Sequence, residues 1–472
     1  MNWAVPRRES CLPLSHLQSW DRRANWSWDD PGIADFGCMN NYTKRPRTFV
    51  TDFKRQIDVV AAIGIRGLSV WGFLRDSHGG VTYAKELCDY AAERGVLMHP
   101  GVGTNLYGGV YYEGNHVYNL ETFLKKYPEA RAIWDNNVVN GYSACPTHPA
   151  FVEWITEGLA WLFKEFRIGG VIFENGDAVV CHCPRCSAMR NEVGGQGREV
   201  ARMRLYAYGT CAKAIDSVRA GSGVLLNSYA TYCGFMPPPQ GKWDYMGDHD
   251  KLSTDDTSLY LYGGDTHYVQ WTLTKMLLKK PVPLLRFLEI GAPEEFYDNP
   301  SWSRGLRPPV PRSVGYFHQG AVSNFWGSAR RYSIVIGSIK EACLRGAEAG
   351  LSGLSMCGET SSFHVPTALN YLAFSHFTSR PRDTLLDFAR DTLGAVMESP
   401  SEAELYVRAL AEADGGSVSP ALAAEVHRRA SADYEPLVRY RRVVVDPELK
   451  RFWMWLDGYV RGETEKYCFV AF

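Results

Sequence analysis

Glu174-Asn175-Gly176-Asp177 sets two carboxylates three positions apart at the end of a short apolar run, Gly170-Val171-Ile172-Phe173. Directly behind them come three thiols and an imidazole, Cys181-His182-Cys183-Pro184-Arg185-Cys186. The C-terminal tip of a strand is where parallel barrels keep their reactive groups, and two acids facing one another there suit proton transfer at a glycosidic bond. One carboxyl must stay protonated while the other is ionised on the opposite side of the scissile bond. Candidates for the second acid are Glu289 in Arg286-Phe287-Leu288-Glu289-Ile290-Gly291, Glu359 in Met356-Cys357-Gly358-Glu359, and Asp265 after Gly263-Gly264. The preferred pair is Glu174 as general acid and Glu289 as nucleophile or general base. Asp177 either joins the catalytic set or caps and orders its own loop. Any one of these acids alone is more often a loop carboxylate that caps a helix or pairs with Arg; four of them at strand tips are harder to dismiss together.

The thiol segment has its own chemistry. Cys183 and Cys186 carry the C-x-x-C spacing that puts two sulfurs on one tetrahedral ion, with Cys181 or His182 as a third ligand and Cys145 as a source of the fourth. A structural zinc is one reading, and a reduced inert loop or a local disulfide are the others. Catalysis itself calls for no cofactor: neither H-x-H nor H-E-x-x-H occurs, so an open catalytic metal site is not expected. Trp71, His99, Asn105, Asn227, Tyr229, Tyr262, Asp265, Arg286, His318 and Gln319 are the expected substrate readers, as donors, acceptors and stacking faces near strand ends. Arg286 would either bind a substrate carboxylate or keep Glu289 ionised.

To position these groups the chain offers eight apolar runs of strand length: Ala34–Met39, Gly67–Trp71, Val96–Gly101, Gly170–Phe173, Val224–Ser228, Ser258–Tyr262, Leu284–Leu288 and Leu351–Met356. Helical periodicity fills the spaces between them, over Phe53–Ile63, Tyr83–Arg94, Ala150–Glu165, Arg202–Ala220, Tyr268–Lys279 and Tyr332–Ala349. Strands alternating with helices in this number predict an α/β fold, a (β/α)8 TIM barrel with long catalytic-face loops. Gly follows four of the helical patterns, at Gly64, Gly95, Gly169 and Gly350, where a left-handed C-cap is wanted. Three connections are long, 102–149, 229–257 and 290–330, and would wall a deep cleft. Beyond residue 380 only helical patterns remain. The expected organisation is an N-terminal extension over 1–33, a catalytic barrel over 34–380 and a helical C-terminal region over 381–472 packed on the barrel.

Composition bounds the partners. The 472 residues are 45% hydrophobic, enough to bury a large core. Acids and bases nearly cancel, 52 against 51, so neither nucleic acid nor an anionic membrane surface is favoured. No apolar stretch nears the roughly 20 residues of a membrane helix, and Met1–Trp20 lacks the apolar core of a signal peptide. A cytoplasmic protein is therefore expected, with a carbohydrate as partner; a homo-oligomer is compatible with all of this. Fourteen Trp and 26 Tyr, many beside Gly, Asn or Asp, suit either a sugar cleft or the packed core of a large α/β protein.

The run Cys145-Pro146-Thr147-His148-Pro149, then Gly170 to Asp177, then Cys181-x-Cys183-Pro184-x-Cys186 resembles a group of bacterial barrel proteins akin to the α-glucuronidases and the family 20 hexosaminidases. The segment from Glu348 through Gly353 to Glu359, with Asn370-Tyr371-Leu372 and Phe377, resembles the last barrel unit of that group. The likeness spans residues 35 to 395, with its specific motifs in two short windows. It implies a (β/α)8 glycoside hydrolase. Where the group reads Asn-Asp-Gly this chain reads Glu-Asn-Gly-Asp, and it has no adjacent Asp-Glu pair at the fourth strand, which argues against substrate-assisted acetamido chemistry. An N-terminal β-domain is not expected. The activity implied is cleavage of a small glycoside or oligosaccharide; a lyase or isomerase acting on a uronic acid, or a noncatalytic sugar-binding barrel, are the alternatives.

Overall fold

The computed structural model describes residues 9–20, 45–134, 137–174, 181–191, 206, 209–219, 287–291, 312–317, 334, 336–348, 350–357, 365–431 and 447–463. Its strands, in chain order, are β1 His16–Trp20, β2 Gly67–Trp71, β3 Leu97–Gly103, β4 Arg131–Ile133, β5 Val139–Ala144, β6 Ile172–Glu174, β7 Phe287–Gly291, β8 Arg312–Phe317 and β9 Gly353–Cys357. β4 and β5 form an antiparallel hairpin. The other seven form one sheet in the order β6-β3-β2-β1-β9-β8-β7, every neighbour parallel.

Strand starts climb across this sheet. Gly353 begins β9 opposite Val314, the third residue of β8. His16 begins β1 opposite Ser355, the third residue of β9. Ile172 begins β6 opposite Gly101, the fifth residue of β3. A stagger kept in one direction is what curls a parallel sheet towards a barrel. The described sheet is a curled half-barrel whose edges are β6 and β7.

Helices cover its outer face. They are α1 Pro46–Ala62, α2 Gly80–Glu93, α4 Pro149–Glu165, α6 Ile336–Glu348 and α7 Val365–Ser379, while α3 Leu120–Lys126 packs on the β4–β5 hairpin and α5 Pro184–Asn191 carries part of a separate cysteine cluster. In α1, Phe49, Phe53, Ile57 and Val60 recur at helical spacing and are buried. They meet the outward residues of the strands, Leu17, Leu68, Val70, Met98, Val102, Phe173, Leu354 and Met356, in one continuous core. Gly64, Gly95 and Gly350 end their helices at φ of 77°, 71° and 76°, the left-handed cap expected from the sequence. α7 is buried on all sides, every residue from Val365 to Thr378. It lies between the barrel and the C-terminal helices, α8 beginning at Leu385–Phe388, α9 Pro400–Asp414, α10 Pro420–Ala430 and α11 Pro447–Val460, whose buried Tyr406, Val426 and Phe452 extend the same core. No described helix is long and apolar enough to cross a membrane.

Four strands escape the sequence reading: the β4–β5 hairpin, inside the expected loop 102–149, and two strands of the main sheet. β1 lies within the segment expected as an extension, and it is the middle strand of the sheet. β8 lies within an expected loop and separates β7 from β9. Neither is a continuous apolar run: His16-Leu17-Gln18-Ser19-Trp20 and Arg312-Ser313-Val314-Gly315-Tyr316-Phe317 alternate with polar or small residues. The barrel's inner face is partly polar, so a search for apolar runs passes over them. The expected strands Ala34–Met39, Val224–Ser228 and Ser258–Tyr262 and the expected helix Tyr268–Lys279 lie outside the described residues.

Candidate active site and thiol cluster

Glu174 is the last residue of β6, opposite Gly103 in register. Two residues earlier, Ile172 is fully buried in a small cluster with Trp71 and Val314, flanked by Leu14. This cluster lies on the inner face of the curled sheet, apart from the helix-covered core. Glu289 is the third of five residues in β7, opposite Val314. It therefore falls inside its strand, two strands from β9, and not at the end of the seventh strand as the apolar runs suggested. Glu359, Asp177, Asp265, Asn227, Tyr229, Tyr262, Arg286, His318 and Gln319 lie outside the described residues.

The remaining expected readers have structural surroundings. Trp71 ends β2 and is 2% exposed. Its Nε1–H donates to Gln18 Oε1 at 3.3 Å, and Gln18 Nε2 in turn donates to Ser355 Oγ, so the indole plugs the half-barrel. His99 sits lower. Its ring lies 5.7 Å from that of His16, the first residue of β1, and a Cβ on Gly67, the first residue of β2, would meet it. Burial pushes the His99 imidazole down to about 3, so it is neutral near pH 7. This is the N-terminal end of the strands, away from the loop face where a substrate reader belongs. Asn105 is half-buried and ties two loops: its Nδ2 donates to Ala144 O at 3.1 Å, and its carbonyl accepts the Ala144 N–H at 2.9 Å.

Beyond β2, on the loop face, the structure assembles a polar network that the strand-end search did not pick out. Arg75 is 3% exposed. Its Nε donates to Gly72 O at 3.1 Å, its Nη1 pairs with Glu113, and the guanidinium lies 4.4 Å from the Tyr112 ring centre. Beside it Asp76 accepts the Tyr111 hydroxyl and the Asn115 N–H. Burial and this carboxylate push the Tyr111 hydroxyl well up. The aromatics of this connection serve its own packing: Tyr111 is 2% exposed and stacks on His116 at 4.4 Å, which also meets Trp161. Those rings are spent on loop structure, whereas Trp134 and Tyr142 of the same connection are exposed. The Arg75-Asp76 dipeptide just past a strand end was the available signal.

The thiols converge. Cys145 follows β5, Cys181 and Cys183 precede α5, and Cys186 lies in its first turn. All four sulfurs lie within 4.8 Å of one another and all four residues are buried. Cys145 Sγ is 3.5 Å from Cys183 Sγ and 3.6 Å from Cys186 Sγ. Backbone bonds lock the frame, Cys145 N–H to Ala130 O at 2.7 Å and His182 N–H to Ile133 O at 2.6 Å. Hydrogen bonding from the Cys181 and Cys186 thiols holds Cys145 far below the ordinary thiol value, and the shared bond to Cys145 pushes Cys181 up to about 11.

With this geometry in hand, the fold is similar to that of solved glycoside hydrolases. A GH138 enzyme targeting pectin rhamnogalacturonan II aligns at TM-score 0.50 and 10% identity, over 98% of this chain and 58% of that one. An α-L-fucosidase isoenzyme 2 from Paenibacillus thiaminolyticus aligns at 0.43 and 11% identity, over 77% of this chain and 49% of that one. A β-N-acetylhexosaminidase from Bacteroides fragilis NCTC 9343 aligns at 0.41 and 12% identity, over 79% and 66%. The chain thus covers less than two thirds of the length of these proteins. No family model matches the sequence, and no curated protein matches it.

Proposed function

We propose that this chain is a glycoside hydrolase acting on a small glycoside or oligosaccharide. Glu174 protonates the leaving oxygen, and Glu289 attacks the anomeric carbon or activates water. The observation that carries the reading is the register of the two edge strands. Ile172 packs on the inner face and Glu174 follows it by one full strand period. Glu289 is paired with Val314, which packs in the same inner cluster. Positions 174 and 289 therefore belong to one concave face, on the two strands that border its open side. A complete (β/α)8 barrel is part of this proposal, as is the carbohydrate partner; the similarity in fold to a GH138 enzyme supports both. Eight free cysteines among the described residues, seven of them buried, favour a reducing compartment and hence the cytoplasm.

Turnover of a panel of aryl glycosides by Glu174→Gln and Glu289→Gln tests the pair. Each substitution is expected to lower kcat by roughly 10²–10⁴-fold, the usual reach of a positioned acid or base. Undiminished turnover in both variants would remove the acid-pair mechanism. An unsaturated, ultraviolet-absorbing product would replace it with a lyase. The stereochemistry of the product then reports the carboxyl separation, about 5 Å for retention against roughly 6.5–9.5 Å for inversion.

A further inference from the structure

We infer that Cys145, Cys181, Cys183 and Cys186 are the complete ligand set of a structural zinc ion. Zinc–sulfur bonds of about 2.3 Å in a tetrahedron set the sulfurs about 3.8 Å apart. The sulfurs here lie within 4.8 Å of each other, with 3.5 and 3.6 Å from Cys145 to Cys183 and Cys186. Those spacings are far from the roughly 2.05 Å of a disulfide, and none of the four cysteines is in one. Cys145 completes the set as a fourth sulfur, so His182 is not required as a ligand. Four thiolates leave no open position, which makes the ion structural and not a source of activated water.

Three further features fit a metal-bound thiolate. The Ile133 N–H points at Cys181 Sγ at 3.4 Å, and the Cys186 N–H points at Cys183 Sγ at 3.5 Å. Such donors stabilise sulfur in its charged form. The Thr147 hydroxyl lies 3.3 Å from Cys145 Sγ and 3.2 Å from Cys186 Sγ, an outer-shell partner for two ligands at once. Among the described residues the cluster is also a core separate from the main one: besides the four cysteines it holds Ala132, with Ile133 and Met189 half-buried against it. The hairpin is tied to the main core through Ala130 and Ala144, so what coordination supplies is the order of the Cys181–Cys183 segment and the start of α5. Soft sulfur donors in tetrahedral array select zinc or iron among the common ions. In sequence, the Cys181 ligand comes seven positions after Glu174, the last residue of β6.

Elemental analysis of the full chain, purified without chelator, is expected to find about one zinc per chain. Cobalt exchanged into the site should give the intense sulfur-to-cobalt charge-transfer bands of a tetrathiolate ion. In the unsubstituted protein these four thiols should resist alkylation until an organomercurial displaces the metal. Cys145→Ser and Cys186→Ser should each lower zinc occupancy several-fold; if either variant folds poorly, the cobalt spectrum and thiol protection of the unsubstituted chain still decide. A metal-free protein with all four thiols alkylated at once, a mass lower by two hydrogens per bridge, or iron in place of zinc would each overturn the assignment. None of these readouts depends on glycosidase activity, so this proposal and the proposed function fail separately.

Discussion

Under the helices of the half-barrel, Phe49, Phe53, Leu68, Met98, Phe173 and Phe374 belong to one core that runs on into the C-terminal helices. Beside the β4–β5 hairpin, the second core has five fully buried residues, four of them cysteine. The first is held by area: burying each large side chain contributes about 1.5–3 kcal/mol, and many do so together. The second offers little apolar area among the described residues, and on the zinc proposal coordination supplies the rest. On the zinc proposal the two regions fail under different insults, one to cavities and denaturant, the other to chelators and oxidants.

The largest expected effect separates the two regions directly. Phe377 is fully buried in α7 and meets Phe388 at 5.9 Å, joining barrel to C-terminal helices. Phe377→Ala should lower global stability by about 3–5 kcal/mol in urea unfolding while leaving the protection of the four clustered thiols in the native state intact. Exposure of those thiols alongside the loss of stability would show that the two cores are one cooperative unit.

A smaller effect depends on pH. His99 has a folded-state value of about 3, below the roughly 6.5 of an unfolded histidine. The unfolded chain therefore binds the extra proton first. This contribution to stability is whole above about pH 6.5 and is lost progressively as pH falls towards 3, by about 2 kcal/mol at pH 5. His99→Gln should narrow the gap between urea midpoints at pH 7.5 and pH 5; an unchanged gap would assign the acid sensitivity to other groups. Asn105→Ala should have the smallest effect. It removes the 3.1 Å bond to Ala144 next to Cys145, for about 1 kcal/mol, and should raise the alkylation rate of the thiol cluster without shifting the main unfolding transition. A shift of the main transition with unchanged thiol reactivity would place Asn105 in the first core.

How much of this was legible follows from the period of each segment. Gly67–Trp71 is a strand with the expected bounds, and β3, β6, β7 and β9 lie within a few residues of expectation, because each is a mostly apolar or small run with at most one ionisable residue in it. His16–Trp20 was passed over because His16 and Gln18 face inward, where a barrel usually keeps apolar side chains, and Gln18 is held there by Trp71 and Ser355. His99 looked like a strand-end reader, yet the register puts it opposite Ser69, inside the strand. The thiol site was half visible: C-x-C-x-x-C is a local pattern, whereas Cys145 comes from a different connection.

By itself, then, the sequence determined the alternation of strand and helix, the glycine caps at Gly64, Gly95 and Gly350 though not at Gly169, where Phe166 already ends the helix in an extended conformation, the acid at the end of Ile172-Phe173-Glu174 and the three clustered cysteines, since these rest on spacing within one segment. Only the tertiary structure decided which strands are neighbours, that positions 174 and 289 border the same concave face, that Trp71 and His99 are buried in the barrel, and that a fourth cysteine completes the cluster. Those facts depend on which segments meet in space, and strand register and chain crossing set that where local periodicity cannot.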